Sequence, residues 1–421
     1  MKVRRRWAVV AALALVASLL AVGGTTSTAK AGAKKGVTIE IWDYFAAPPD
    51  GTPERNALNR VAQQWAKKTG NKVVNPGTIS NRENKFITAA QAGQGPDIYM
   101  GAHDRLGSFV APGLVASVPS NLLSKKLKAG FNPVALQAMS LKGKMYGLPL
   151  AAESYFLYYN KKLVKTAPKT WAQLIAKAKA LTQGERYGFL WDTTNFYYDY
   201  AFIHGFGGYV FRHTNRGLDA NKLGIATPGA IQGLQFIADL VRKHNLTPAT
   251  TNTGIMESKF SKGDAAMIID GPWAVPGFKK DGVPYGVAQL PSLTKGKPMR
   301  PFIGFQGLMV NSKSKHQKEA WDLAKYLSLH LPLPLYKAAG RVPVLTKVAK
   351  LKVVTSSAVT RAVLASSRLG EPMPNIPQMS VVWGPMANAL TAIVQGKATP
   401  REAAQDAQQA IARAIAQQGG G

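Results

Sequence analysis

The first patterned stretch of this chain constrains its fold more than any other feature. Val37, Ile39 and Ile41 alternate with Thr38 and Glu40, the period of a half-buried strand. Leu58, Val61, Ala62 and Trp65 then recur at helical spacing until Gly70, a residue suited to the left-handed turn that stops a helix, and Val73 and Val74 open a second extended segment. Strand, helix and strand in that order predict an α/β fold of parallel sheets covered by helices. Later helix starts carry hydroxyl caps: Thr170 with Gln173, Thr227 before Pro228, and Thr399-Pro400 with Glu402. Leu323, Ala324 and Leu327 extend the apolar stripe of another helix. All of these positions are read as structural.

At 421 residues the chain is too long for one ordinary core and suits two domains. Hydrophobic residues make up 46%, as in a folded soluble protein, and the absence of an internal repeat argues against a solenoid or propeller. The turn-rich stretches 143–149 and 295–301 are where the chain can change domain. There is no cysteine, so no disulfide can form and the fold must rest on core burial.

The amino-terminal residues read as an export signal. Lys2, Arg4, Arg5 and Arg6 precede an apolar run from Trp7 to Val22, and Ala29-Lys30-Ala31 supplies the small residues of a cleavage site, so residues 1–31 are expected to be removed and the exported chain to begin near Gly32. A membrane anchor is the competing reading, but the run is shorter than the ~20 apolar residues that span a bilayer. Without a cysteine the protein is not expected to be lipidated through one; it should be free in a periplasm or held at the envelope another way.

Charge sets the chain apart. The formal net charge is +31, and residues 1–31 carry five basic and no acidic side chains, which leaves +26 on the rest. Lys125, Lys126 and Lys128, Lys161, Lys162 and Lys165, and Lys347, Lys350 and Lys352 form runs far apart in sequence. Nucleic-acid binders reach such values, but no groove-reading or base-stacking module is legible, and no nucleic-acid partner is expected. Attraction to an anionic envelope and adaptation to an acidic exterior are the two explanations preferred. Only 22 Asp and Glu residues are present, so few carboxylates can lose native partners as pH falls.

The chemistry-bearing motifs are not those of a catalyst. No GxSxG elbow, P-loop or HExxH is present, and Gly205, Gly207 and Gly208 make only a weak glycine loop. No metal or cofactor is expected. The informative blocks are others. Residues 371–383 read Glu-Pro-Met-Pro-Asn-Ile-Pro-Gln-Met-Ser-Val-Val-Trp, a proline-punctuated loop that loses little entropy on ordering and delivers Trp383 just before a helical segment. Residues 95–105 run from a turn through a short strand to the polar cluster His103-Asp104-Arg105, and residues 270–273 read Asp-Gly-Pro-Trp. For a lone tryptophan, core packing is the competing reading.

These blocks, with Gly147–Ser154 and Tyr158–Leu163, occur in the order and approximate spacing of one family. The chain resembles the extracellular carbohydrate-binding proteins of ABC importers, solute-binding protein family 1, and specifically the maltose/maltodextrin-binding group, from about Val37 to about Ala416. The resemblance implies a two-lobed periplasmic-binding-protein fold of type II, each lobe a mixed, mostly parallel sheet flanked by helices, with the ligand cleft at the hinge. It implies an N-terminal lobe of 37–149 with 302–352 and a C-terminal lobe of 153–300 with 358–416. It also implies a monomer that takes up an oligosaccharide by hinge closure and delivers it to a membrane permease.

A sugar offers apolar faces and a hydroxyl-bearing edge, which rings and planar polar groups respectively match. The resemblance carries Trp273, Trp383 and Tyr197 to stacking positions, with Tyr198 beside them. It carries Asp104, Arg105, Glu153 and Glu83 to edge-binding positions, with Ala102 and Met373 as wall residues. His103 is read as packed rather than as a ligand. Gly101, Asn195 and Ala387 stand where the family has an aromatic, an acidic and a basic residue, and Trp42-Asp43-Tyr44-Phe45 departs from the maltodextrin pattern. The sugar can therefore be maltodextrin or another oligosaccharide such as trehalose or cyclodextrin. Two rival readings are a glycosidase using Glu153 and Asp104, and a basic envelope protein that binds polyanions.

Overall fold

The computed structural model describes residues 36–45, 52–215 and 217–419. The export signal expected over residues 1–31 lies outside the described residues, and among those residues no helix is long and apolar enough to cross a membrane. The strand Thr38–Trp42 alternates as its sequence does, with Ile39 and Ile41 fully buried. The helix Pro53–Thr69 follows, its Thr52 side chain accepting the Arg55 N–H and its end turned by Gly70 at φ 72°. It buries Leu58, Val61, Ala62 and Trp65. The chain then returns as Lys72–Val74, parallel to the first strand, and Ile98–Ala102 adds in parallel on the other side.

Later segments join this sheet in both senses. Its strand order is Val342–Pro343, Leu148–Glu153, Phe302–Val310, Ile98–Ala102, Thr38–Trp42 and Lys72–Val74, with Glu371–Pro372 parallel to the start of Phe302–Val310. Phe302–Val310 is antiparallel to both of its long neighbours, and Val342–Pro343 is antiparallel to Leu148–Glu153. A second sheet, Met267–Asp270, Phe156–Asn160 and Tyr285–Ala288, is antiparallel throughout. The first sheet is mixed, as expected, but the pairing within the second makes "mostly parallel" need correction. Phe302–Val310, which returns after the second sheet, enters reversed, and Val342–Pro343 and Glu371–Pro372 run in its direction.

The junction between the sheets is short. Leu148–Glu153 ends the run in the first sheet and Phe156 begins the second, with Ser154 and Tyr155 between them. Ser154 donates to the Phe302 carbonyl at 2.9 Å, and the Tyr155 hydroxyl accepts the Phe302 N–H at 3.4 Å, so two crossing segments are tied together. A third segment joins them where the Ser366 hydroxyl donates to the Tyr155 carbonyl at 3.0 Å. The cores divide along the same line. One apolar cluster draws on Ile39–Ala151 and Leu308–Leu335. The largest draws on Tyr155–Met299 and Val359–Ile411, and adds Phe302 and Val342.

Candidate functional site

The strand Ile98–Ala102 ends in the tight turn His103–Arg105, which places Asp104 and Arg105 beside the start of the helix Arg82–Gln91. Arg105 Nε lies 3.1 Å from Glu83 and 3.1 Å from Asp104, so the three form one charged group. Burial pushes the Asp104 carboxyl above the usual carboxylate range, against the pull of Arg105, and it pushes Glu83 up in the same way. Arg82, next in sequence to Glu83, lies over the Tyr99 ring at 4.7 Å.

Glu153 anchors a second polar group. Its carboxylate accepts from Gln306 Nε2 at 2.7 Å and pairs with Arg341 Nη1 at 3.0 Å. Arg341 also reaches Glu54 at 3.3 Å and lies over the Tyr44 ring at 5.5 Å. Pairing of Val342 with Ala152 in the sheet is what brings Arg341 beside Glu153. Glu54, Glu153 and Arg341 are all buried. A buried, hydrogen-bonded pair of this kind fixes geometry more than it adds stability.

The other wall is aromatic. Trp383 is the first residue of the helix Trp383–Val394, and its ring stands 5.8 Å from Phe196 and 6.1 Å from Phe302. Arg105 reaches across to it, its guanidinium 5.7 Å from the ring. Tyr197 stacks near Phe302 and lies 6.0 Å from Trp273, which sits in the turn Pro272–Ala274. Gly271 makes that position available, because a Cβ there would come within 2.1 Å of the indole. Beyond Trp273 opens a surface groove of about 690 Å³ shared with Glu257, Ser258 and Phe278.

The expected residues have distinct fates. Trp273, Trp383, Tyr197, Asp104, Arg105, Glu83 and Glu153 fall into this one contiguous network. Ala102 stands at its edge, paired in register with Gln306. The Tyr198 ring lies 6.3 Å from Trp273, but its hydroxyl is committed elsewhere: it donates to Asp270 at 3.1 Å, and burial, with Glu257 alongside, holds the Asp270 carboxyl well above its ordinary range. Met373 is buried and engages through its backbone, its carbonyl accepting from His103 Nε2 at 3.0 Å. His103 also accepts the Phe305 N–H at Nδ1, and burial lowers its pKa to about 4, so it is a neutral structural clasp. Sequence reasoning missed Tyr44, Glu54, Arg82, Gln306 and Arg341.

Several buried polar atoms in this network have no hydrogen-bond partner: the Tyr44 and Tyr197 hydroxyls, Arg82 Nε and Nη1, Gln306 Oε1, Arg341 Nε and Trp383 Nε1. The Trp383 N–H is close enough to Asp104 to ease its ionisation slightly, yet makes no well-formed bond to it. Unpaired buried groups are costly, and half of those found among the described residues gather in this network. Among the described residues no group of three or more His, Asp or Glu is placed to hold a metal ion.

The chain as a whole has relatives. A family model described as "Bacterial extracellular solute-binding protein" matches residues 49–330. A galactooligosaccharide-binding protein of Bacillus subtilis is 31% identical over 92% of this chain and 91% of its own length. A maltooligosaccharide ABC transporter solute-binding lipoprotein of Streptococcus pneumoniae is 32% identical over 98% of both chains. Among solved structures, the maltose-maltodextrin binding protein of Alicyclobacillus acidocaldarius superimposes with a TM-score of 0.83 at 35% identity, covering 89% of this chain and 99% of that one. The maltotriose binding protein of Thermus thermophilus, solved with maltotriose, gives 0.83 at 34% identity over 90% and 100%. The fold is the two-lobed type II fold of such proteins, and its business is binding rather than catalysis. This chain belongs to the bacterial extracellular solute-binding proteins.

Proposed function

We propose that this protein captures an extracellular oligosaccharide, maltodextrin foremost, and delivers it to the membrane permease of an ABC importer. The observation that carries the reading is the pairing of two unlike walls. Rings of Trp383, Trp273 and Tyr197 suit the apolar faces of sugar units, and the unpartnered polar atoms opposite them suit hydroxyls. The relatives support it by the sugars in their names. The groove past Trp273 gives a chain of several units room to continue.

The lobes in this reading are 37–149 with 302–352 and 153–300 with 358–416, an assignment supported by the way the apolar clusters divide. Capture proceeds by closure: the ligand meets one lobe first, and the closed form is favoured because only there do both walls touch it. The protein acts as a monomer, and its permease reads the closed pair of lobes. Site assignments follow the geometry: stacking by Trp273, Trp383 and Tyr197, edge contacts by Glu83, Asp104, Arg105 and Glu153, and no direct contact from the Tyr198 hydroxyl.

Titration calorimetry with maltose, maltotriose, trehalose, cyclodextrin, xylo-oligosaccharides and galacto-oligosaccharides tests the proposal. Maltotriose is expected to bind with a Kd of ~1 μM, about −8 kcal/mol. A preference for a galacto-oligosaccharide would change the sugar and keep the mechanism. No heat from any of the panel would sink the reading.

A further inference from the structure

Two of the lysine runs that stand far apart in sequence meet in space. Lys125, Lys126 and Lys128 occupy the helix Lys125–Ala129, and Lys347, Lys350 and Lys352 lie in and around the helices Thr346–Ala349 and Lys352–Thr355. The Thr346 N–H donates to the Gly130 carbonyl at 2.8 Å, the Asn132 N–H donates to the Val344 carbonyl at 2.9 Å, and Phe131 bridges Leu345. Leu127 packs on the same small apolar cluster as Leu345, Val348 and Val354. All six lysine side chains are exposed, and none takes part in an ion pair among those found in the described residues.

Counter-charge is sparse around these lysines, the carboxylates of the adjoining elements being Glu153 beyond Ala152 and Glu319 and Asp322 on the helix that carries Leu329. The sequence contains no Asp or Glu from 105 to 152, nor from 323 to 370. The remaining strand behind the cluster, Phe302–Val310, has none either, so no element supplying the buried residues of this cluster carries a carboxylate. Apolar side chains stand among the lysines: Leu351 is 39% and Val353 50% exposed, and Val134, on the adjoining helix Pro133–Ala138, is 41% exposed. Few large apolar residues are this exposed anywhere in the described chain, and three of them share one basic face.

We propose that this face docks on an anionic phospholipid surface. Lysines next to an anionic bilayer gain from its surface potential, and small apolar side chains between them can enter the interfacial layer. A folded surface that presents both chemistries together, with no carboxylate on the segments that carry the lysines, has the composition such contact needs. None of its residues belongs to the sugar site, so docking and sugar capture are separable. The face offers this cysteine-free chain a means of staying at the envelope without a lipid on a thiol.

Sedimentation of the exported chain, residues 32–421, with vesicles tests the inference. Binding is expected to vesicles of phosphatidylglycerol in phosphatidylcholine, to weaken as salt rises, and to be absent with phosphatidylcholine alone. Changing Lys125, Lys126, Lys128, Lys347, Lys350 and Lys352 together to Gln should lower vesicle affinity about tenfold or more. Changing only Lys347, Lys350 and Lys352 should give an intermediate loss, and Leu351→Ser with Val353→Ser a smaller one. A control with Lys161, Lys162, Lys165, Lys169, Lys279 and Lys280 changed to Gln removes the same charge elsewhere and should lose less than about threefold. Sugar affinity should be unchanged in every variant, which shows that each is folded. Equal losses in the two six-lysine variants would overturn the proposal. So would binding to soluble polyglycerol phosphate with no sedimentation on vesicles, or equal binding to neutral vesicles.

Discussion

The two walls of the proposed site are made of different materials. One holds Glu54, Glu83, Asp104, Glu153, Arg82, Arg105 and Arg341, nearly all tied to one another; the other holds Tyr197, Trp273 and Trp383, packed on Phe196 and Phe302. The charged wall is internally constrained, since each side chain is oriented by a partner before any ligand arrives. The aromatic wall is positioned by the core beneath it. Preorganisation is thus reached by two routes, and each fails in its own way when cut.

The largest effect should come from the charged wall. Arg341→Ala strands Glu54 and Glu153 without their shared cation, and denaturant unfolding should show a loss of about 3–5 kcal/mol, with sugar binding lost as well. A loss below about 1 kcal/mol would mean the group is solvated and the contrast between walls is false.

The seam between the walls comes next, through His103. Its pKa is lowered to about 4 in the fold against about 6.5 in the unfolded chain, so the stability it contributes is complete above pH 6.5 and is lost as pH falls from there to 4, up to about 3 kcal/mol. Burial-raised carboxyls such as Asp199 and Asp270 act in the opposite sense, favouring the fold as acid is added. His103→Gln removes only the first contribution. The gap in unfolding free energy between wild type and variant should therefore narrow by up to about 3 kcal/mol between pH 6.5 and 4; a gap that stays constant would refute the assignment of a neutral buried imidazole.

The aromatic wall should respond in binding rather than stability. Trp383→Ala and Trp273→Ala are each expected to weaken oligosaccharide binding severalfold or more, about 1–2 kcal/mol by calorimetry, with little change in melting temperature because both rings are only half-buried. Unchanged affinity in both would remove the stacking role.

The smallest and sharpest comparison lies within one helix. Tyr197→Phe deletes an unpartnered hydroxyl and should cost affinity by about 0.5–1.5 kcal/mol while leaving stability intact. Tyr198→Phe deletes the donor to Asp270 and should do the reverse. If the two variants behave alike, their division of labour is wrong.

Sequence legibility followed the range of the interactions involved. Local signals were plain: Thr170, Thr227 and Thr399 cap their helices through the expected oxygens, and Trp383 opens a helix directly after its proline-rich loop. Asn195, a departure from the family pattern, explains itself as the cap of Phe196–Gly205, accepting the Tyr197 N–H at 3.1 Å. Arg341 was invisible because nothing around Gly340-Arg341-Val342 announces a site; only sheet pairing with a strand nearly two hundred positions earlier gives it Glu153. Tyr198 was read beside Tyr197 as a site residue, since neighbours on a helix point about 100° apart and their sequence does not show that its hydroxyl is taken by Asp270. The lysine runs looked scattered for the same reason, being joined by backbone bonds between segments remote in sequence.

Under the proposed lobe assignment, one glycine sets how tightly the two lobes can meet. In the short helix Leu106–Val110, Gly107 faces the peptide between Ile376 and Pro377, and a Cβ there would come within 2.2 Å of the proline nitrogen. Main chain meets main chain at this spot, with no side chain as a spacer. A single methyl group would work as a doorstop, and Gly107→Ala is a way to jam the jaws ajar while leaving every ligand-facing atom in its native chemistry.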